Sequence, residues 1–357
     1  MYGLTNEIRD NVKRKIRKQE IFLTTHCFNK GTNNIRMIDV IKTPIFNSKR
    51  YVSEVNHRVY NLSQYATSKN LKNIFGTITL PSEYHSFKTL KNGKTIPNPK
   101  YKNYTPNEGA KELSKMFKSL IDLRIYRDIN KSEKCYFRVY EPHKDGTPHL
   151  HFSMFVPADK ITDIVERFNS YMKENYQGLQ VNFQTNINNP VSYLMKYILK
   201  TFDDLRNEKN KITDLSLWYV ANNITRFYTS RTLISLDIYR KLTGKYSLLQ
   251  LTRMYKDREI TVFIDPDTKK VCSIYDNIGE IWKKPNYTVK EVTENTKFIN
   301  KLENVPEIVR LSYCDIVDNY YTDAKGNTIE NQKIDFFYDE MRNIKNIGFL
   351  KEYGFSA

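Results

Sequence analysis

The sequence has little of what holds secreted or membrane proteins together. Its four cysteines (Cys27, Cys135, Cys272 and Cys314) are far apart and form no Cys-x-x-Cys pair. That spacing argues against a disulfide framework or a zinc knuckle and fits buried thiols in a reducing cytoplasm. No stretch approaches the roughly 20 apolar residues that a membrane-spanning helix needs. The N-terminus lacks the apolar run of a secretory leader, so none is expected. No Gly-x-x-x-x-Gly-Lys-Ser/Thr loop occurs, so no fused nucleotide-driven helicase of that type is expected in these residues. Internal repeats and low-complexity tracts are also missing.

Acidic charge is in short supply: 40 Asp and Glu face 57 Lys and Arg, for a formal net charge of +17. Basic charge alone implies a polyanionic partner. Here it comes with 26 tyrosines and 19 phenylalanines, and lysines that follow phosphates beside rings that stack on bases favour single-stranded nucleic acid. A Lys- and Asn-rich codon bias adds lysines, but it does not explain the surplus over acids. A chain of 357 residues has room for about two domains.

The most informative stretch is Glu141-Pro142-His143-Lys144-Asp145-Gly146-Thr147-Pro148-His149-Leu150-His151-Phe152, which holds three of the six histidines. Alternating apolar and polar residues on either side predict a β-hairpin, Cys135 to Glu141 going in and His149 to Val156 coming out, with Asp145-Gly146 as the turn. Side chains alternate faces along a strand, so His149 and His151 share one face while Leu150 points to the core. A turn centred near Asp145 puts Glu141 across the ladder from His149. Two imidazoles and a carboxylate then converge, a first shell suited to a divalent metal. His-x-His alone is weak evidence; the carboxylate placed by the turn strengthens it.

In chain order, residues 1–20 carry Arg9, Lys13, Arg14, Lys15, Arg17 and Lys18, a basic helix or arm that is either a DNA-backbone contact or a solvated surface. Val52 to Ala66 is compatible with a helix. Ile74 to Pro81 reads as a strand stopped by proline. Ser82 to Pro106 reads as a loop in which Lys88, Lys91 and Lys94 are candidate DNA contacts. A helix capped by Thr105 or Asn107 is predicted to run to about Arg127 with Leu113, Met116, Phe117 and Leu120 on one face. Beyond the hairpin, Pro157 opens a helix to about Tyr176, and Val181 to Thr185 reads as a short strand. The resulting β–α–β–β–α–β order predicts an α+β fold, an antiparallel sheet with helices on one face and ferredoxin-like character.

A helix from about Pro190 to Phe202 follows. Tyr193 and Tyr197 lie four residues apart, one turn above each other, and Lys196 and Lys200 repeat at the same spacing. A tyrosine stripe half buried against the sheet accounts for this as an isolated feature. Beside a metal site and a nucleic-acid-like composition it acquires another reading. A phenol has a pKa near 10, so only about a thousandth is ionised at neutral pH. A cation on the scissile phosphate and a lysine near the developing charge would offset that weakness of tyrosine as a nucleophile on phosphorus.

With these residues in place the chain resembles a known group. Glu141 to His151 looks like the metal-binding HUH motif of rolling-circle replication initiators and is most similar to bacteriophage gene A replication endonucleases. The Ile74–Pro81 strand resembles the first motif of that family, and the Tyr193/Lys196/Tyr197/Lys200 helix its two-tyrosine third motif. The resemblance implies His149 and His151 as metal ligands with Glu141 as the acidic one, Mg²⁺ or Mn²⁺ as the ion, Tyr193 and Tyr197 as nucleophiles, and Lys196 and Lys200 as phosphate partners. The ligand set alone fits Zn²⁺ equally well. It further implies nicking of single-stranded or supercoiled origin DNA through a 5′-phosphotyrosine, with a host helicase and polymerase as partners in the bacterial cytoplasm.

The expected organisation is an N-terminal basic region (1–70), an HUH endonuclease domain (71–202) and a C-terminal accessory domain (203–357). In the last, the Trp218–Arg231 segment resembles one common downstream of the tyrosine helix, and its Arg226 and Arg231 either bind DNA or pack against the core. Residues 260–282 read as a hairpin turning at Asp265-Pro266-Asp267. Residues 301–357 hold ten acids and seven Lys and Arg, so DNA contacts are not expected there. Two competing readings are a two-tyrosine transposase, which shares both motifs, and a non-catalytic DNA-binding regulator on the same fold. A mobilisation relaxase is a weaker third, since relaxases typically place the tyrosine ahead of the histidines.

Overall fold

A computed structural model describes residues 2–31, 33–40, 43–90, 92–176, 178–185, 212–242 and 245–298. They fall into two compact units. One combines the residues up to Arg17 with those of Leu62–Ser230, the other Lys18–Asn61 with those from Arg231 onward.

The first unit is organised on a five-stranded antiparallel sheet of β1 (Leu71–Thr79), β2 (Cys135–Pro142), β3 (Pro148–Pro157), β4 (Gln180–Gln184) and β5 (Phe227–Thr229). Their spatial order is β4-β1-β3-β2-β5. The first four strands carry the expected order of elements, and β5 extends the sheet beyond β2. The fold is α+β, as the alternation of patterns predicts.

Two helices cover one face. In α1 (Pro106–Asp122) a full capping box forms, Thr105 and Glu108 each satisfying the other's backbone N–H, with Pro106 pre-set for the first turn. Its buried stripe contains Leu113, Met116, Phe117 and Leu120. In α2 (Ile161–Asn175) the stripe is Ile164, Phe168 and Met172. Phe117 meets Phe152 of β3 edge-on at 5.0 Å between ring centroids, and Phe168 meets Phe183 of β4 at 5.7 Å. β1 passes beneath these rings at Gly76, paired with Phe152 on one side and Phe183 on the other. A Cβ at Gly76 would collide with the Phe152 ring.

Several expectations need correction. The Ser82–Pro106 segment is not wholly loop: Phe87–Thr89 and Thr95–Pro97 pair as a small hairpin, turned by Asn92-Gly93 with Gly93 at φ +81°. The helix after Thr105 breaks at Leu123 (φ −57°, ψ 137°) before a short helix Arg124–Arg127. Arg9 makes a bidentate pair with Asp214 at 3.0 and 2.9 Å, a bond that holds the Asp214 carboxyl down to about 2.

The second unit takes helix Ser48–Ser68 as far as Asn61, and this part buries Val52, Val55 and Val59. The Arg58 guanidinium, buried on this helix, donates to the backbone carbonyls of Leu233 and Ile234. The predicted 260–282 hairpin exists, with the turn at Asp265, but a third strand joins it: Thr261–Ile264, Val271–Tyr275 and Glu280–Lys283 form one antiparallel sheet. Cys27 and Cys135 are buried free thiols and Cys272 is half-buried; Cys314 lies outside the described residues. No helix among the described residues is long and apolar enough to cross a membrane.

The close approach at Gly76 is testable. Gly76→Ala should lower unfolding free energy by about 1–3 kcal/mol, the usual cost of overpacking, in urea titrations. Gly279→Ala, whose Cβ meets nothing within 4 Å, should stay within about 0.5 kcal/mol. Adding Phe152→Leu to Gly76→Ala should recover part of the loss.

Candidate metal centre

The β2–β3 hairpin closes through Pro142 paired with Pro148, and a five-residue loop joins them. Gly146 N–H donates to His143 O at 2.9 Å and His143 N–H to Thr147 O at 2.8 Å. Gly146 sits at φ +92°, a conformation that a side chain would strain. Asp145 Oδ1 accepts from Thr147 N–H at 3.1 Å. Two further contacts clamp the loop: Trp218 Nε1 donates to Gly146 O at 3.0 Å and Tyr2 N–H to Lys144 O at 3.1 Å.

This turn sets the register. Glu141 lies opposite His149 and Val139 opposite His151; on the other side of β3, Thr79 pairs with His149 and Thr77 with His151. Leu150, on the opposite face, is fully buried. Glu141 Oε2 comes within 3.5 Å of His149 Nε2 and 3.3 Å of His151 Nε2. One ligand atom from each of the three residues lies within 4.8 Å of the others. Metal–ligand bonds of roughly 2.0–2.2 Å place neighbouring ligand atoms about 3.0–3.5 Å apart. Both distances from Glu141 match that spacing, and the group as a whole is close enough to converge on one ion with a small side-chain adjustment. Glu141 and His151 are 8% and 5% exposed, so an ion held here would be largely removed from water, which strengthens its electrostatic interactions.

The side chains are also oriented for this task. Thr77 Oγ1 lies 3.0 Å from His151 Nδ1, engaging the nitrogen that does not face Glu141, as partners of metal-bound histidines do. The His149 ring is packed between His151, at 4.6 Å between centroids, and His143, at 4.3 Å. Burial, reinforced by the neighbouring His149 and His85, pushes the His143 imidazole down to about 4, so it is neutral at physiological pH. His85 Nδ1 reaches Asp145 Oδ2 at 3.0 Å. Burial opposes ionisation of Asp145, but bonds from His85 and Thr147 hold its carboxyl below the ordinary value.

The three predicted ligands are therefore brought together. Tyr193, Lys196, Tyr197, Lys200 and Lys91 lie outside the described residues. Lys88, Lys94 and Arg231 are exposed. Arg226 is 3% exposed: it donates to Ser216 Oγ at 2.7 Å and lies over the Tyr219 ring at 4.3 Å. Of the two readings for Arg226, packing is the one the structure shows, because Ser216 and Tyr219 on α3 (Asp214–Ala221) surround its guanidinium and remove it from solvent. Sequence reading missed Thr77, His85 and His143. The signal for Thr77 was available: a strand paired antiparallel beside β3 places every second residue on the histidine face.

Comparison with known proteins adds a family. The pattern of the bacteriophage replication gene A protein (GPA) matches residues 4–205. A probable replication endonuclease from a prophage-like region of Salmonella typhi is 31% identical over 223 residues, 57% of this chain and 26% of that protein. The replication protein of Haemophilus phage HP1 is 30% identical over 161 residues, covering 42% of this chain and 19% of its own length. A probable replication protein of Pseudoalteromonas phage PM2 is 26% identical over 222 residues, 55% of this chain and 33% of that protein. The chain thus spans at most a third of the length of these relatives. No solved structure matches.

If these donors share one ion, Mn²⁺ titrated calorimetrically into metal-stripped protein should bind at one site. His149→Ala and His151→Ala should each abolish that binding, and Thr77→Val should weaken it about 10- to 100-fold. Unchanged affinity in both histidine variants would place the ion elsewhere.

Proposed function

The chain belongs to the bacteriophage replication gene A protein family, and from that footing we propose that it is a metal-dependent endonuclease that nicks a replication origin and rejoins the strand. The observation that carries this reading is the convergence of Glu141, His149 and His151 from two adjacent strands on one point. A non-catalytic DNA binder has no need of such a centre. The names of the relatives speak of replication, which favours this reading over a transposase.

In this proposal residues 71–202 are the HUH endonuclease domain and 1–70 and 203–357 the accessory regions, of which the stretch from Asp214 to Thr229 supplies α3 and the edge strand β5 of the same sheet unit. Glu141, His149 and His151 hold Mg²⁺ or Mn²⁺, which when bound withdraws charge from the scissile phosphate. Thr77 fixes the His151 ring, and the β2–β3 ladder fixes the carboxylate opposite His149. Tyr193 or Tyr197 attacks the phosphorus through its phenolic oxygen. The P–O3′ bond breaks, the 3′ oxygen leaves and takes up a proton, and the 5′ phosphate stays on the tyrosine. Lys196 and Lys200 offset the negative charge that builds on the phosphate oxygens. The released 3′ hydroxyl primes a host polymerase behind a host helicase. After one round the second tyrosine cleaves the regenerated origin, and the freed 3′ hydroxyl attacks the first phosphotyrosine, closing a circle. Each step exchanges one phosphodiester for another, so the chemistry needs no nucleotide hydrolysis.

The test incubates the protein with single-stranded oligonucleotides from its own replicon, with and without Mn²⁺. A metal-dependent covalent protein–DNA adduct is expected, lost only when Tyr193→Phe and Tyr197→Phe are combined. An adduct that survives the double substitution, or none with any candidate origin, would sink the proposal.

A further inference from the structure

The small hairpin Phe87–Thr89/Thr95–Pro97 has no core of its own. Five of its six strand residues are exposed and Ile96 is half-buried, and a two-stranded hairpin is marginal by itself. Its root, by contrast, is tightly tied. Asn98, 6% exposed, donates its side-chain amide to Ser82 O at 2.6 Å and His85 O at 2.8 Å, and its N–H to Ser86 O at 3.0 Å. Tyr84 stacks on Tyr104 at 4.3 Å. Two bonds then join this root to the turn of the metal-bearing hairpin: Thr147 Oγ1 donates to Tyr84 O at 3.0 Å, and His85 meets Asp145 at 3.0 Å. A base tied to the β2–β3 turn thus carries an exposed tip.

The tip has a definite chemical character. Residues 82–104 contain five lysines and one glutamate, and that glutamate, Glu83, is paired with Lys102 at the root. Phe87 is 49% exposed and Leu90 37%, beside the exposed Lys88 and Lys94. An apolar protein partner would leave the lysines unmatched, whereas a duplex offers no open base to a flat ring on a narrow arm. Unpaired bases on a phosphate chain match both features.

We propose that this hairpin is a holding arm for single-stranded DNA: Phe87 stacks on an unpaired base, Lys88 and Lys94 lie along the flanking phosphates, and the root on Asp145 and Thr147 fixes that strand relative to Glu141, His149 and His151. The proposal deepens, and rests on, the nuclease reading of the same site. It assigns substrate holding to an element that contributes no metal ligand.

The test measures fluorescence anisotropy of a labelled single-stranded oligonucleotide and of its duplex, in EDTA, with adduct formation in Mn²⁺ assayed separately. Phe87→Ala should weaken single-strand binding about tenfold, within the range for loss of one stacked base, and leave duplex binding nearly unchanged. Lys88→Ala with Lys94→Ala should lower the slope of log affinity against log salt by about 1.4, since each phosphate contact on a single strand contributes about 0.7. Calorimetric Mn²⁺ affinity should match the wild type in all variants, showing that the fold and the centre are intact. Wild-type affinity in Phe87→Ala, or equal losses on single strand and duplex, overturns the arm. Adduct formation that persists alongside that result leaves the nuclease reading standing. Arm-dependent binding with no adduct supports the arm and removes the nuclease reading instead.

Discussion

The pairing of β2 with β3 is the constraint on which the rest of the site depends. Because side chains on a strand repeat every two residues, a slip of one position would carry His149 and His151 to the helix-covered face and bring Leu150 out among the ligands. The register is therefore held from several directions at once. Gly146 at φ +92° sets the turn, and Trp218, with no solvent exposure, anchors the Gly146 carbonyl. On the far side, nine consecutive pairs from Leu71 to Thr79 lock β3 to β1. The apolar cost of a slip is large, since Leu150, Phe152 and Met154 are all fully buried on the core face.

The sheet separates two tasks by face. Rings from α1 and α2 pack on Phe152 and Phe183, and Gly76 makes room for them. The other face carries His149, His151, Glu141 and Thr77. Ligands on neighbouring strands of one sheet move little relative to each other, which suits a centre that gathers three donors around one ion. The stretch that matches the gene A family, residues 4–205, contains all four of these residues.

How much of this the sequence disclosed follows from how local each signal is. The Asp145-Gly146 turn, the Thr105 cap, the proline stop after β1 and the alternation in β2 and β3 are set by neighbours within a few residues, and all are found. The succession of elements in an α+β fold of ferredoxin-like character is likewise legible, while the order β4-β1-β3-β2 is set by the pairing of β1 with both β3 and β4. What escaped depends on tertiary partners. Asn92-Gly93 is a turn signal, but the strands beside it bury almost nothing, so the pattern lacks the alternation that marks a half-buried strand. The burial of Arg226 is decided by Ser216 and Tyr219, which only the packing of α3 brings to it. The strand Glu280–Lys283 is recognisable only through its pairing with Val271–Tyr275. The tyrosine helix, the other half of the sequence argument, falls outside the described residues, so the chemistry of attack rests on residues 190–202 as sequence.

The claim underlying the account is that two imidazoles from alternate positions of one strand and a carboxylate from the next bind a single divalent ion. Pulsed electron paramagnetic resonance of protein loaded with one equivalent of Mn²⁺ tests it directly, because coupling to ¹⁴N reports each coordinated imidazole. The account predicts a signal from two imidazole nitrogens, reduced to one or lost in His149→Gln and in His151→Gln. A spectrum free of nitrogen coupling, or one unchanged by both substitutions, would contradict it.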